Sequence, residues 1–485
     1  MNRITDEISF KMICIMSACY AVFYTFCLYH NNMGLTFPVF VMGTIVFFLY
    51  YMKLRKKPVS RFSIFYMGAI CLLGTDICIT ANRTLIIFDK VFIFVLFFMM
   101  FLHNLYDDKT WDVSRYVAGI VKYVLSALGY IFRPFYDLAD YLKRSKEDQD
   151  GVNVKDPSVS SGRTNILYVM IGLAISVPLL CVILPLLLSS DIIFSNKMED
   201  MFSFVFDLDI TLPIMIICIF FAAYAMLYRL TESLKDLEEP VTDKRTLSPV
   251  IAITVNTVLL TVYLMYSIIQ VIYLFMRKGT LPNGYTYTRY AHEGFFQLVF
   301  VCLINIVLVL LCRKYSKDSK VLKAILCMIS GCTYIMISSS AYRMYLYIDA
   351  YKLTFLRIYV LWALLVMAVI MAGIIVYLYK PDMKFVNYCV VSFISLWIMF
   401  VAIDPDYQIA KYNIQYHDDD DYICELSLDA LPAIERYGDE ELIDKYFLYR
   451  SRSVNGYERK KIKNEKLTVR TWNYSKWRAK EIWSD

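Results

Sequence analysis

The chain has 485 residues, of which 58% are hydrophobic and 19% are charged, and its formal net charge is +6. A soluble domain is about half apolar and about a quarter charged, so this composition argues against an ordinary soluble protein. The modest charge forms no basic stripe, which argues against a nucleic-acid-binding protein.

Long apolar runs predict an all-α integral membrane protein, a polytopic helical bundle with about eleven transmembrane helices. A spanning helix needs about 20 mostly apolar residues, and residues 353–378 carry only one charge, Arg357. No small-residue cleavage motif follows the first run, so we interpret it as a retained span. The predicted spans are residues 12–28, 35–52, 63–81, 85–105, 166–188, 212–229, 249–275, 295–312, 321–340, 354–379 and 385–403.

Lysine and arginine residues predict the orientation, because cytoplasmic loops are enriched in them. Clusters follow the second, fourth, sixth, eighth and tenth spans, and with eleven spans all of these loops lie on one side. The sequence therefore predicts a multi-pass protein of the cell (plasma) membrane with a cytoplasmic N-terminus and an extracytoplasmic C-terminus.

The chain divides into four predicted parts. Residues 1–110 hold spans one to four, and residues 166–403 hold spans five to eleven. Residues 111–165 comprise an amphipathic helix at the cytoplasmic interface, followed by a flexible linker. An alternative for this helix is packing on other cytoplasmic helices. A second amphipathic segment, residues 198–209, is predicted at the outer interface, and residues 404–485 form a small, polar, helical subdomain outside the membrane.

Three polar stretches, residues 285–297, 338–351 and 352–357, lie where the predicted topology places the external face. Charges at membrane depth are costly and usually pair or line a wet cavity, so Glu293 is predicted to pair with Arg343 or Arg357. The alternative is an aromatic belt with arginines that extend to the headgroups. The candidate binding residues are Tyr290, His292, Glu293, Arg343, Tyr347, Asp349 and Arg357.

The usual catalytic and nucleotide-binding motifs are missing, so no catalytic residue, metal or cofactor is predicted and the balance is against an enzyme. The leading hypothesis is a protein that binds or translocates a small molecule, an ion or a lipid headgroup. The alternatives are an enzyme or assembly factor acting on an envelope or lipid-linked substrate at the outer leaflet, and a signalling or scaffold protein. The predicted partners are the lipid bilayer and a small-molecule or lipid ligand, nucleic acid is not expected, and protein partners are left open.

A family resemblance rests on the same polar stretches. Residues 290–298 read YAHEGFFQL, which resembles the YAREGFFQL stretch of DUF4173, a family of uncharacterised bacterial multipass membrane proteins. His292 stands where arginine is expected, and Lys352 stands where glycine is expected. The resemblance covers roughly residues 165–480 and implies membership without a mechanism. Further matching segments are residues 342–344, 351–354, 356–357, 410–414, 426–433 and 472–479.

Overall fold

The computed structural model describes residues 10–31, 33–108, 111–147, 211–231, 245–272, 287–416, 420–453 and 467–484, with five isolated residues between 172 and 190. Within these ranges the regular structure is helical, apart from one isolated bridge between Leu247 and Ser316. The predicted outer amphipathic segment, residues 198–209, lies outside the described residues. Only the start of the predicted linker is described.

The described helices are numbered here in chain order. The first seven are α1 (Phe10–Leu28), α2 (Thr36–Leu54), α3 (Ser63–Ile79), α4 (Arg83–Leu105), α5 (Val113–Leu128), α6 (Arg133–Glu147) and α7 (Thr211–Thr231). The next five are α8 (Pro249–Gln270), α9 (Tyr287–Tyr315), α10 (Lys320–Tyr351), α11 (Phe355–Tyr379) and α12 (Phe385–Ala402). The tail holds α13 (Pro405–Gln415), α14 (Asp420–Glu425), a 3₁₀ turn (Leu428–Ala430), α15 (Leu431–Tyr437), α16 (Glu440–Ser453) and α17 (Tyr474–Ser484).

Nine of the described helices are long and apolar enough to cross a membrane, which confirms a polytopic helical membrane protein. They are α1, α2, α4 and α7 to α12. The predicted count of eleven is not confirmed, for two reasons. The third predicted span is α3, whose 17 residues fall short of the usual length of about 20. The fifth, residues 166–188, lies outside the described ranges.

Helices α5 and α6 meet at a bend of 58° and are together apolar enough to form one broken span. Along α5, Tyr116, Gly119 and Tyr123 are buried, and the Tyr123 hydroxyl donates to the Met226 carbonyl of α7 at 3.2 Å. The opposite stripe, which includes Val117, is exposed. One face of α5 therefore packs on protein while an apolar stripe stays open, and its position at the interface remains a prediction.

The chain folds as two compact units. Unit 1 comprises residues 1–67, 95–107 and 114–239, and unit 2 comprises residues 68–94, 108–113 and 240–485. In unit 1, α1 packs on both α2 and α7. The approach of α1 to α2 requires Gly43, because a Cβ atom there would lie 2.2 Å from the Phe23 ring.

Two apolar helices of unit 2, α8 and α10, begin at serine side chains that cap them. Ser248 accepts from the Val250 amide before α8, with Pro249 in the first turn, and Ser319 accepts from the Leu322 amide before α10. Such caps satisfy amide groups that the first helical turn leaves without a partner. Helices α8, α9 and α11 pack on α10, and α12 packs on α11, so α10 is the central element of this bundle.

The tail of unit 2 is a cluster of short helices with a core of its own. Ile409, Leu431, Ile434 and Tyr446 are fully buried in it. The Tyr446 hydroxyl donates to the Ser427 carbonyl at 2.8 Å, which ties α16 to the chain before the 3₁₀ turn. Apolar side chains from the start of α11 and from the chain before it also pack against this core. The tail is thus helical, and its extracytoplasmic location remains a prediction.

Candidate functional site

Arg343 lies on α10 and reaches a polar group inside the apolar bundle. Its Nη2 atom donates to Gln270 Oε1 at 3.4 Å, and the Ser339 hydroxyl donates to the same oxygen at 2.7 Å. Gln270 and Ser339 are both buried. The sequence prediction selected Arg343 but missed its partners, because Gln270 lies at the end of an otherwise apolar run on another helix.

Arg357 and Tyr347 are brought together by the short connection between α10 and α11. The Arg357 guanidinium carbon lies 4.3 Å from the centre of the Tyr347 ring, a cation–π contact. Nη1 of Arg357 also donates to the carbonyls of Tyr351 and Lys352. These contacts hold the arginine against the end of α10.

The remaining predicted site residues are not gathered in this way. Asp349 is exposed. Tyr290, His292 and Glu293 lie on the first turns of α9, but their side chains are outside the described part of the structure. The predicted pairing of Glu293 with Arg343 or Arg357 therefore remains a prediction.

The tail fixes the connection between α10 and α11. Asn413 on α13 accepts from the Leu353 amide at 3.0 Å and donates to the Leu353 carbonyl at 2.9 Å. The hydroxyl of Tyr422 accepts from the Phe355 amide at 2.8 Å. Between these contacts and α10, Lys352 has φ 62° and ψ −172°, a conformation suited to glycine. Lys352 adopts this conformation although it has a Cβ atom. Its ammonium lies 4.5 Å from the centre of the Tyr416 ring.

The sequence analysis missed a group of buried aspartates at the turn between α3 and α4. Asp429, on the 3₁₀ turn of the tail, accepts hydrogen bonds from the amides of Ala81 at 2.9 Å and Asn82 at 3.1 Å. The hydroxyls of Thr80 and Ser475 also donate to its carboxylate. Four donors, two of them just before the N-terminus of α4, satisfy the oxygens of a carboxylate that is 5% exposed.

A second aspartate, Asp406, holds the same turn. Its Oδ2 atom accepts from Asn82 Nδ2 at 3.0 Å and from the Ser427 amide at 3.1 Å. Asn473 closes the other side, where its amide nitrogen donates to the Thr80 carbonyl at 3.0 Å. Side chains of the tail therefore satisfy the backbone and side-chain groups of the turn that joins α3 to α4.

Burial and mutual repulsion alter the acidity of the tail aspartates. Burial raises the pKa of Asp404 from its ordinary value of 3.8 to about 7, and the nearby charge of Asp429 adds to this rise. Burial also raises the pKa of Asp406, although hydrogen bonds from Ser427 and Asn82 oppose the change. Asp404 also has φ 54°, and its side chain caps α13 by accepting from the Tyr407 amide at 3.3 Å.

Two further aspartates lie on the apolar helices themselves, near the same turn. Asp76 is in the last turn of α3, and Asp89 is in the second turn of α4. Asp89 is completely buried, and its Oδ1 atom accepts from Trp397 Nε1 at 2.7 Å. The carboxyl groups of Asp76 and Asp89 are hydrogen-bonding neighbours.

One signal in the sequence could have indicated this group, namely that Asp76 and Asp89 interrupt runs that are otherwise apolar. The contribution of Asp406 and Asp429 could not be read from the chain, because both lie more than 300 residues from the turn that they contact. Across the described residues, no three histidine, cysteine, aspartate or glutamate side chains are arranged to hold a metal ion.

Comparison with known families identifies the family of this chain. The family model described as Domain of unknown function (DUF4153) matches residues 67–437, which include Asp76, Asp89, Asp404, Asp406 and Asp429. No curated protein and no solved structure matches the chain. The resemblance to DUF4173 is therefore wrong. It rested on short stretches rich in aromatic and basic residues, and such residues recur at the membrane interfaces of multipass proteins in general.

Proposed function

Because the chain belongs to the DUF4153 family, whose function is unknown, we propose a function from its own geometry. The protein is a multi-pass membrane protein that binds or moves a small molecule, or a lipid headgroup, through an anionic group held by Arg343. In this proposal it resides in a bacterial cell membrane, with its N-terminus in the cytoplasm and its tail on the external side.

The observation that carries the proposal is the hydrogen bond between Arg343 and Gln270. Ser339 hydrogen-bonds to the same oxygen of Gln270, and both of these side chains are buried. The helices that carry them are otherwise mostly apolar. Placing a polar or charged group at membrane depth costs several kcal/mol unless it is compensated, roughly 2.5–3.5 kcal/mol for an arginine by insertion scales. Such groups usually serve a pathway or a binding site, and a guanidinium favours carboxylate or phosphate.

Arg357 supports the same chemistry at the end of α10. Its contacts with the carbonyls of Tyr351 and Lys352 use one of its three nitrogen atoms. A guanidinium has five N–H donors, so the described contacts leave donor capacity on Arg357. A cationic side chain beside tyrosines is suited to an anionic headgroup, since the rings pack on apolar chains while the charge stays near water.

Native mass spectrometry of the full chain in mild detergent tests this proposal. The wild type is expected to carry a discrete bound mass that Arg343→Ala loses and Arg343→Lys retains in part. Lys323→Ala is the matched control, because Lys323 is on the same helix but pairs with Asp318 at 2.9 Å at the opposite end. Fragmentation of the bound species distinguishes a phospholipid from a soluble carboxylate or phosphate.

Two outcomes contradict the proposal. One is a wild-type protein that carries no specific mass after extraction in several detergents. The other is a mass that persists in Arg343→Ala at wild-type occupancy, which would place any ligand elsewhere. Ser339→Ala guards against a purely structural effect, because it removes a hydrogen bond to Gln270 without removing the positive charge.

A further inference from the structure

The side chains of Asp76 and Asp89 meet in unit 2, where Asp89 is completely buried and Asp76 is half-buried. Asp89 Oδ1 accepts from Trp397, while Asp89 Oδ2 and Asp76 Oδ2 are buried and lack a donor among the described residues. The two side chains are nevertheless within hydrogen-bonding reach of each other. An ionised carboxylate can only accept, so a hydrogen bond between two carboxyl groups requires a proton on one of them.

The surroundings of Asp89 are apolar. Trp397 is fully buried, and its ring centre lies 5.5 Å from that of Phe88, 5.0 Å from that of Phe92 and 5.1 Å from that of Trp362. Two negative charges side by side in such an apolar environment repel strongly, because the effective dielectric constant is far below that of water. A single shared proton removes one of the charges and supplies the missing donor.

The charged groups described near the pair do not neutralise its negative charge. The tail faces it with Asp404 and Asp429, which act on Asp76 as further negative charges. On α4 the closest cation along the chain is Lys90, and adjacent residues of a helix do not share a face. On α11, Tyr359 stacks on Phe88 with 5.9 Å between ring centres. Tyrosine has no cationic group that could offset the two carboxylates.

We propose that Asp76 and Asp89 form a proton-binding site that holds one proton between two carboxyl groups. Trp397 donates to Asp89 and so stabilises its ionised form, which leaves the proton on Asp76 as an O–H that donates to Asp89. Release breaks that O–H bond, passes the proton to water or a buffer base, and leaves two carboxylates; uptake reverses the step. The site uses residues other than those of the anion site, so either assignment can fail alone.

Infrared difference spectroscopy of the full chain in detergent tests this site, because a protonated carboxyl group has a C=O band that an ionised carboxylate lacks. Asp404 is first replaced by asparagine, because its pKa of about 7 would add a second protonated carboxyl group near neutral pH. At neutral pH this Asp404→Asn background is expected to show a band that shifts in D₂O and is lost when Asp76→Asn is added. The asparagine amide can donate to Asp89 as the protonated carboxyl does, so Asp76→Asn is expected to keep the wild-type Tm. Asp382→Asn, at an exposed loop position, is the control and should retain the band.

In Asp89→Asn, Asp76 loses its ionised neighbour, so the pH at which the remaining carboxyl band disappears is expected to differ from that of the wild type. Three results contradict the proposal. The first is a spectrum of the Asp404→Asn background that shows no protonated carboxyl band at neutral pH. The second is a band that persists in both single variants and in the double variant. The third is a Tm that rises with Na⁺ or K⁺ in the wild type but not in Asp76→Asn, which indicates a metal cation in place of the proton.

Discussion

Asn413 and Leu353 are joined by two hydrogen bonds, one in each direction, although they lie 60 residues apart. The amide side chain of Asn413 matches the N–H and C=O of one backbone residue, as a neighbouring strand would. This contact links the first tail helix to the turn that positions Arg357 at the start of α11. The tail therefore helps to hold the turn that carries Arg357 on the predicted binding face.

Asn413→Ala is expected to destabilise the protein by about 2 kcal/mol, because two hydrogen bonds worth about 1 kcal/mol each are lost. Asn413→Asp can still accept from the Leu353 amide but cannot donate to its carbonyl, so it should be no more stable than Asn413→Ala. Thermal unfolding in detergent measures both. Gln408→Ala on the same helix is the control, since Gln408 makes an exposed contact at 3.3 Å. Equal Tm values for Asn413→Ala and the control would contradict the prediction.

Lys352→Gly is expected to be more stable than Lys352→Ala by about 1 kcal/mol. Both variants lose the contact with Tyr416, so that term cancels in the comparison. The φ of 62° with ψ of −172° costs a residue with a Cβ atom about 1–3 kcal/mol. This outweighs the roughly 0.5–1 kcal/mol that the extra backbone freedom of glycine costs. Denaturation midpoints of the two variants measure the difference, and a less stable glycine variant would show that the turn is unstrained.

Asp404→Asn is expected to flatten the dependence of stability on pH. The pKa of Asp404 is raised from 3.8 in the unfolded chain to about 7 in the folded protein, so the folded state holds the proton more tightly. This contribution to the free energy of unfolding is fully present below pH 3.8 and is lost as the pH rises towards 7. Over that pH range the free energy of unfolding of the wild type should fall, relative to that of the variant, by at most about 1.4 kcal/mol per pH unit.

Asparagine is a suitable replacement because it also caps helices and tolerates a positive φ. Tm measured from pH 4 to pH 8 (about the range in which carboxyl groups of this kind titrate) gives the two curves. The Asp382→Asn variant should follow the wild type. Parallel curves for the wild type and Asp404→Asn would mean that Asp404 ionises normally.

Cysteine labelling tests the orientation that the loop charges predict. A membrane-impermeant thiol reagent should label Glu441→Cys on intact cells, because Glu441 is exposed on the tail. Asp382→Cys, in the exposed loop after α11, should be labelled only after lysis. The wild-type signal is subtracted from both. The reverse pattern would place the tail in the cytoplasm and overturn the topology.

The sequence by itself determined the class of protein and most of its helices. Ten predicted spans coincide with described helices, and nine of these helices are long enough to cross a membrane. An apolar run of spanning length is a local property of the sequence, because bilayer thickness sets the length that is needed. Local reasoning also selected Arg343 and Arg357. It could not supply the partner of Arg343, because Gln270 becomes adjacent only when α8 packs on α10.

Only the tertiary structure decided where the acidic side chains of the tail act. Asp429 and Asn82 are 347 residues apart in the chain, yet the amide of one donates to the carboxylate of the other. Nothing in either segment specifies that pairing, because hydrogen bonding between distant residues depends on how whole helices pack. The sequence shows which polar groups are costly to bury, and the fold determines which of them are hydrogen-bonded to one another.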